Sequence, residues 1–329
     1  MKRLFNELLR IWVRISLHVY FGEIQVKGRQ HIPRDQPLII VANHQNALLD
    51  ALLIATELGL KPHFLARASI FKNPWIASLL SLLQLIPVFR IRDGFQNLSR
   101  NDETFQRCQH ILARRESILL FPEGNHSLQR HLRPLSKGFT RIAFGTLQNH
   151  PDLPLYLLPV GINYGAHQYA GSKVSLQVGK AIPVAEADFD AQALKEQVAT
   201  SLKALTVQIP ATAYEISLQK YLKGQVDLSD PAAFQAGLTF PAHRVIHGRP
   251  IIHLLYFPLL LIWKFLKPSI TDPVFYGTVK FLIGFLGAPL YFILITVIFC
   301  VVGVPLLGST VVIGLAFVLY VFRHSVKQA

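Results

Sequence analysis

Between Phe281 and Phe322 the chain has no charged residue, and no other feature restricts its folding as much. At about 20 residues per helical crossing, such a run is long enough for a two-span membrane hairpin. Gly303, Pro305 and Gly308 near its middle supply a turn. Lys264, Lys267 and Lys280 precede the run, and Arg323 and Lys327 follow it. A hairpin returns both basic flanks to one side, which the positive-inside tendency makes cytoplasmic. A re-entrant pair dipping into one leaflet is the competing reading. The remaining composition agrees with a lipid setting: 51% of residues are hydrophobic and the mean hydropathy is +0.35, too apolar for an ordinary soluble enzyme. The formal charge of +14, from 33 Lys and Arg against 19 Asp and Glu, favours an anionic partner. At this hydrophobicity, membrane lipid headgroups fit better than nucleic acid. Cys108 and Cys300 lack the spacing of a metal site or a disulfide framework and read as packing residues in a reducing compartment.

Met1 to Phe21 has helical periodicity. Arg3, Glu7, Arg10, Arg14 and His18 recur at three- and four-residue steps as one polar stripe, and Leu4, Leu8, Ile11, Trp12, Ile15 and Val19 cover much of the rest. This is a basic amphipathic helix suited to a lipid interface. Arg10 and Arg14 interrupt it too early for a spanning helix, and no small-residue cleavage site follows. Packing on its own domain is the plainer alternative. From Glu23 to about Lys180, β-rich runs at Ile24–Lys27, Leu38–Ala42, His63–Ala66, Leu85–Arg90, Ser117–Phe121, Leu155–Val160 and Val174–Val178 alternate with helical patterns. The helical patterns lie near Ala47–Leu58, Pro74–Leu83, Asn101–Arg115 and Gly138–Gln148. Such alternation predicts an α/β fold with a largely parallel sheet flanked by helices. Ala191–Leu222 is helical in pattern, Gly224–Pro250 reads as a linker or lid, and Pro250–Phe265 as an interfacial or buried helix. The expected division is an amphipathic helix over 1–22, an α/β domain over 23–215, a linker or lid over 216–249 and a membrane anchor over 250–329.

The unbroken apolar run Leu38–Ala42 is the pattern of a strand covered on both faces. His44 follows it in a strand-to-helix turn, at the sheet edge where open α/β folds bind ligands. Asp50 is six positions further on. An ideal helix would rotate the two about 120° apart, and a strand would separate them by about 20 Å. Pairing therefore requires Gln45 and Asn46 to loop out. With Asn46 capping the helix, Asp50 falls in its first turn, where the carboxylate meets His44 Nδ1 and fixes the imidazole tautomer. A surface histidine beside an unrelated helix-start aspartate is the alternative. Further on, Leu85–Arg92 ends in Arg90 and Arg92, suited to bidentate phosphate binding. Ile118–Phe121 ends in a tight turn that carries Glu123 and Gly124. Lys137 stands just before a helix whose free N–H groups favour an anion, and Leu158–Tyr164 is a further strand end.

Four blocks occur in order: Asn43-His44 with Asp50, the I-P-V-F-R run ending in Arg90 and Arg92, F-P-E-G at Phe121–Gly124, and P-V-G at Pro159–Gly161. With them the chain resembles the glycerolipid acyltransferases, over about Ile24 to Pro183. That family joins fatty acyl thioesters to glycerol-3-phosphate or 1-acylglycerol-3-phosphate. The resemblance makes 23–215 an acyltransferase domain, His44 the general base and Asp50 its orienting acid. It gives Arg90 or Arg92 the acceptor phosphate, and Glu123 and Gly124 the shape of the glycerol pocket; Asn43 and Lys137 join them as substrate-binding candidates. It implies acyl-CoA or acyl carrier protein as co-substrate, no cofactor or metal, no nucleic-acid partner, and a membrane location with the catalytic domain on the cytoplasmic face, as at a bacterial inner membrane. Two departures stand out: one residue more than usual between His44 and Asp50, and Asn125-His126-Ser127 in place of the common T-R-S. Both look closer to the branch that includes fungal glycerol-3-phosphate and dihydroxyacetone-phosphate acyltransferases, and they leave acceptor, donor and oligomeric state open. The thioester oxyanion needs donors, for which backbone N–H groups in the turn after His44 or at a helix N-terminus are candidates. Alternatives of other classes are an inactive lipid-binding or scaffold protein of the same fold, and a hydrolase using Ser127, which lacks a Gly-x-Ser-x-Gly elbow.

Overall fold

The structure, a computed structural model, describes residues 2–75, 78, 83–89, 100–185, 190–239 and 254–321. In chain order its main elements are α1 (Lys2–Tyr20), β1 (Glu23–Lys27), β2 (Leu38–Ala42), α2 (Leu48–Glu57), β3 (His63–Arg67), β4 (Leu85–Val88), α3 (Arg100–Ala113), β5 (Ser117–Leu120), α4 (Gly138–Asn149), β6 (Leu155–Tyr164), β7 (Lys173–Val178) and β8 (Ile182–Val184). There follow α5 (Ala191–Leu205), α6 (Tyr214–Lys223), α7 (Pro231–Gln235), α8 (Phe257–Leu266), α9 (Phe275–Leu282), α10 (Ala288–Val301) and α11 (Pro305–Val321). Arg90, Arg92, most of the helix expected over Pro74–Leu83, and the end of the expected linker lie outside the described residues.

The strands form one mixed, mostly parallel sheet in the order β1-β7-β6-β2-β5-β3-β4, with β8 also paired to β6. β2 is central, parallel to β5 on one side and β6 on the other. Its five residues are all buried because alternate side chains enter two different cores. Leu38, Ile40 and Ala42 pack with residues of α1 and α2, while Ile39 and Val41 pack with residues of α3, α4 and α5. This two-sided cover explains why the segment reads as a continuous apolar run rather than an alternating one.

The sequence pattern underestimates β6. It continues past Val160 because Gly161–Tyr164 pair antiparallel with β7, from Gln177 back to Val174. The stretch Ala191–Leu222 is not one helix: it divides into α5 and α6. Pro210 lies in the break, and the freed backbone groups find partners elsewhere. Val207 N–H donates to Asn163 Oδ1 (2.8 Å) and Ile209 N–H to the Arg130 carbonyl (2.6 Å). The boundary expected after residue 215 falls inside α6.

In α1, Leu17, Tyr20 and Phe21 just beyond it are buried, and Arg14 and His18 both reach the buried Glu57 of α2 at 3.3 Å. Leu4, Leu8, Ile11 and Ile15 are exposed, so α1 buries one apolar edge, Val13, Leu17 and Tyr20, on the domain and turns a second apolar edge outward, with the half-exposed Arg14 and His18 between them. Beside it runs the C-terminal unit. Phe275–Val301 is a continuous 27-residue helix, made of α9, one π-helical turn at Ile283–Gly287 and α10, and it is long and apolar enough to cross a membrane. Gly303, at φ 83°, turns the chain into α11, which packs closely on α10: a Cβ at Gly308 would lie 2.5 Å from Phe299 Cβ. Phe281 joins the core that holds Leu17 and Tyr20. Of the two cysteines, Cys108 is buried in α3, where burial pushes its thiol up to about 12, and Cys300 is exposed on α10.

Candidate active site

Asp50 organises the turn at the end of β2. Its buried carboxylate accepts four hydrogen bonds. Oδ2 takes His44 Nδ1–H (2.8 Å) and the backbone N–H groups of Gln45 (2.8 Å) and Asn46 (2.7 Å), and Oδ1 takes the Tyr164 hydroxyl (2.6 Å). The looped-out path of Gln45 and Asn46 is thus what brings His44 and Asp50 together, with Asp50 in the first turn of α2. One detail differs from expectation: Asn46 is not the cap. Ala47 occupies that position at φ 43°, a left-handed value that is strained for a residue with a Cβ. The Asn46 side chain instead donates to the His167 carbonyl (2.9 Å). The additional residue between His44 and Asp50 is absorbed in this sharp turn, where three donors converge on one carboxylate oxygen.

His44 is fixed from other directions as well. Its ring stacks on Phe121 at 4.0 Å between centroids and 9° between planes. Its backbone N–H donates to Glu123 Oε1 (3.1 Å), and its carbonyl accepts from Ser127 N–H (3.0 Å). Among the described residues no hydrogen-bond partner takes Nε2, and 16% of the His44 side chain is exposed. The arrangement presents an imidazole with one nitrogen held by Asp50 and the other left without a partner among the described residues. The backbone N–H groups of His44, Gln45 and Asn46 are all committed to carboxylates, so these three are not available as oxyanion donors.

The F-P-E-G turn is built to meet this loop. Gly124 has φ 70°, and its N–H closes the turn onto the Phe121 carbonyl (3.0 Å). Glu123 does not stand free at the tip: its second oxygen accepts from Arg133 Nε (2.5 Å). Burial raises the Glu123 carboxyl above its ordinary value, and Arg133 opposes that rise. Asn43 is likewise occupied, its amide exchanging two hydrogen bonds with the backbone of Ile162 (2.9 and 2.7 Å). The side chain thereby extends the β2–β6 pairing one step beyond the strand. Gly161 of P-V-G lies under the end of α5, where a Cβ would come within 2.2 Å of the Leu205 carbonyl oxygen. Lys137 is exposed, and no hydrogen bond or ion pair joins its ammonium to the His44 cluster among the described residues.

Several residues without a signal in the sequence complete the site. Tyr164 is fully buried, and burial together with Asp50 raises its hydroxyl well above the usual range, so it is a permanent donor. Arg130, buried and pushed down to about 10 by desolvation, donates to the carbonyls of Tyr164 and Gly165 (3.0 Å for the latter) and stays charged at neutral pH. His167 Nε2–H donates to Gln45 Oε1 (3.0 Å), and burial, then Arg130, lowers its proton affinity well below that of a free imidazole. His126 stands edge-on to His44 at 5.7 Å.

Residues 23–163 match the family model described as Acyltransferase. The chain is 28% identical to the chloroplastic 1-acyl-sn-glycerol-3-phosphate acyltransferase BAT2 of Brassica napus, over 49% of this chain and 44% of that protein. It is 26% identical to the 1-acyl-sn-glycerol-3-phosphate acyltransferase of Bacillus subtilis, over 57% of this chain and 87% of that one. The matched part thus spans less than half the length of the plant relative. Among solved structures, the 1-acyl-sn-glycerophosphate (LPA) acyltransferase PlsC of Thermotoga maritima aligns with a TM-score of 0.48 and 22% identity, over 61% of this chain and 78% of that one. Residues 23–163 therefore match an acyltransferase family model, and the chain that carries them resembles the glycerolipid acyltransferases.

Proposed function

We propose that the chain is a membrane-bound O-acyltransferase that moves a fatty acyl group from a thioester, acyl-CoA or acyl carrier protein, to 1-acylglycerol-3-phosphate or glycerol-3-phosphate. The observation that carries this reading is the 2.8 Å contact between His44 Nδ1 and Asp50, with Nε2 left facing out. His44 Nε2 removes the proton of the acceptor hydroxyl, and the oxygen attacks the thioester carbonyl carbon. The C–S bond then breaks and the thiolate leaves, taking the proton from Nε2. A thioester is already activated, so one positioned base is sufficient, and general-base catalysis supplies about 10²- to 10⁴-fold. Asp50 holds the tautomer, and Tyr164 and the turn backbone hold Asp50. Glu123 and Asn43 support the His44 turn, and the acceptor phosphate falls to Arg90 or Arg92. The outward apolar face of α1 and the C-terminal helices keep the site at the cytoplasmic surface of a bilayer.

Purified protein supplied with labelled acyl-CoA or acyl carrier protein and each acceptor tests the reading. His44→Ala should lose about 100-fold or more of turnover. A variant as fast as the parent would dismiss the mechanism, and lipid binding without turnover on any acceptor would leave an inactive lipid-binding protein.

A further inference from the structure

The C-terminal helices are expected to anchor the domain, yet their first turns lie against the proposed catalytic loop. α9 packs on the His44 turn through Gly277. A Cβ there would lie 2.7 Å from Asn46 Oδ1 and 2.9 Å from the His167 carbonyl oxygen, so only glycine lets the helix come this close. Both atoms belong to groups that hold the turn: Asn46 N–H donates to Asp50, and His167 is bonded to Gln45. Asn46 Oδ1 is buried without a conventional hydrogen-bond partner, and the helix backbone covers it. Just before α9, Asp272 Oδ2 meets His126 Nε2 at 3.3 Å. At the start of α9, the Phe275 ring stands edge-on to His126 at 4.9 Å, and His126 in turn stands edge-on to His44. Three rings and one carboxylate therefore link the first turn of the apolar helix to the base.

We infer that α9 is a wall of the reaction site as well as the start of the anchor. Gly277 and Asp272 are positioning residues, the first for the His44 turn and the second for His126. This inference rests on the acyltransferase reading above and deepens it: a lipid acceptor lying in the bilayer reaches His44 along α9, so access and chemistry share one helix. The same continuous helix contains a built-in control. Gly284 also lies in Phe275–Val301, but a Cβ there meets nothing within 4 Å.

The test compares Gly277→Ala, Gly284→Ala, Asp272→Asn and His44→Ala in the full chain. The assay uses detergent mixed micelles with oleoyl-CoA and lysophosphatidic acid, so that attachment to a bilayer is not limiting. Gly277→Ala should lower kcat about tenfold or more, inside the about 100-fold that a displacement of about 1 Å can cost, with the donor KM changed less than about twofold. Amide exchange in 45–50 should quicken in the same variant, while Gly284→Ala matches the parent in both respects. Asp272→Asn should raise the acceptor KM and leave the donor KM in place. Equal behaviour of the two glycine variants, whether both active or both impaired, would overturn the inference, because an anchor alone treats them alike. A fully active His44→Ala would instead sink the acyltransferase mechanism, and is read separately.

Discussion

At the scale of single residues, the site depends on one carboxylate meeting four donors. Tyr164→Phe removes the donor to Asp50 Oδ1 and leaves that buried oxygen without a partner, which costs about 1–3 kcal/mol. Thermal unfolding should show that loss, and kcat should fall by about tenfold as the imidazole loosens; a parent-like kcat would mean that the backbone donors suffice. His167 predicts a pH effect. Burial keeps it neutral in the folded chain, whereas the unfolded chain binds a proton there below about pH 6.5. Its contribution is therefore neutral above that value, and it costs up to about 1.4 kcal/mol per pH unit as the pH falls below it. His167→Gln should flatten the acid side of a Tm-against-pH series, and parallel curves would exclude the effect. The pairing of His44 with Asp50 was readable from the sequence, because a strand end, a short loop and a helix start leave few paths. Tyr164 and Arg130 were not readable: Tyr164 is 114 positions from the Asp50 it serves, and only the antiparallel extension of β6 brings it there. Arg90 and Arg92, the phosphate-binding candidates of the sequence, lie outside the described residues.

At the scale of elements, the strands of the domain were legible from apolar runs bounded by turns, while β8 and the end of β6 were not. Their pairing is antiparallel and non-local, and Gly161–Tyr164 has no apolar continuity to announce a strand. The amphipathic pattern of α1 was legible too, but not that Val13, Leu17 and Tyr20 form its inward edge, since their partners come from distant strands and helices. The outward face of α1 makes a direct prediction. In a variant whose only tryptophan is Trp12 (Trp75→Phe with Trp263→Phe), brominated lipids should quench the fluorescence of vesicle-bound protein, and aqueous iodide should have little effect. Quenching by iodide alone would place that face in water. Trp12 already touches the C-terminal unit, its ring 6.1 Å from that of Phe285, so α1 and the apolar helices present one continuous surface.

At the scale of the whole molecule, the α/β domain carries two apolar elements, α1 and the C-terminal helices, that lie side by side. Beyond the buried Phe281, residues 282–301 continue the first leg of the hairpin for about 30 Å at about 1.5 Å per residue, and the 17 residues of α11 return about 26 Å. Both figures lie near the roughly 30 Å of hydrocarbon in a bilayer. The sequence marked this pair by its lack of charge but carried no sign that the pair begins against the His44 turn, because Gly277 looks like any other small residue in an apolar helix. The two thiols add a practical consequence. Cys108 is enclosed and poorly ionised, whereas Cys300 is accessible at the far end of the first leg, so the native chain carries a single alkylation target at the tip of the hairpin. In oriented vesicles, an impermeant maleimide should modify it only from the compartment opposite the α/β domain. Protection from both compartments would mean that the tip stops within the lipid.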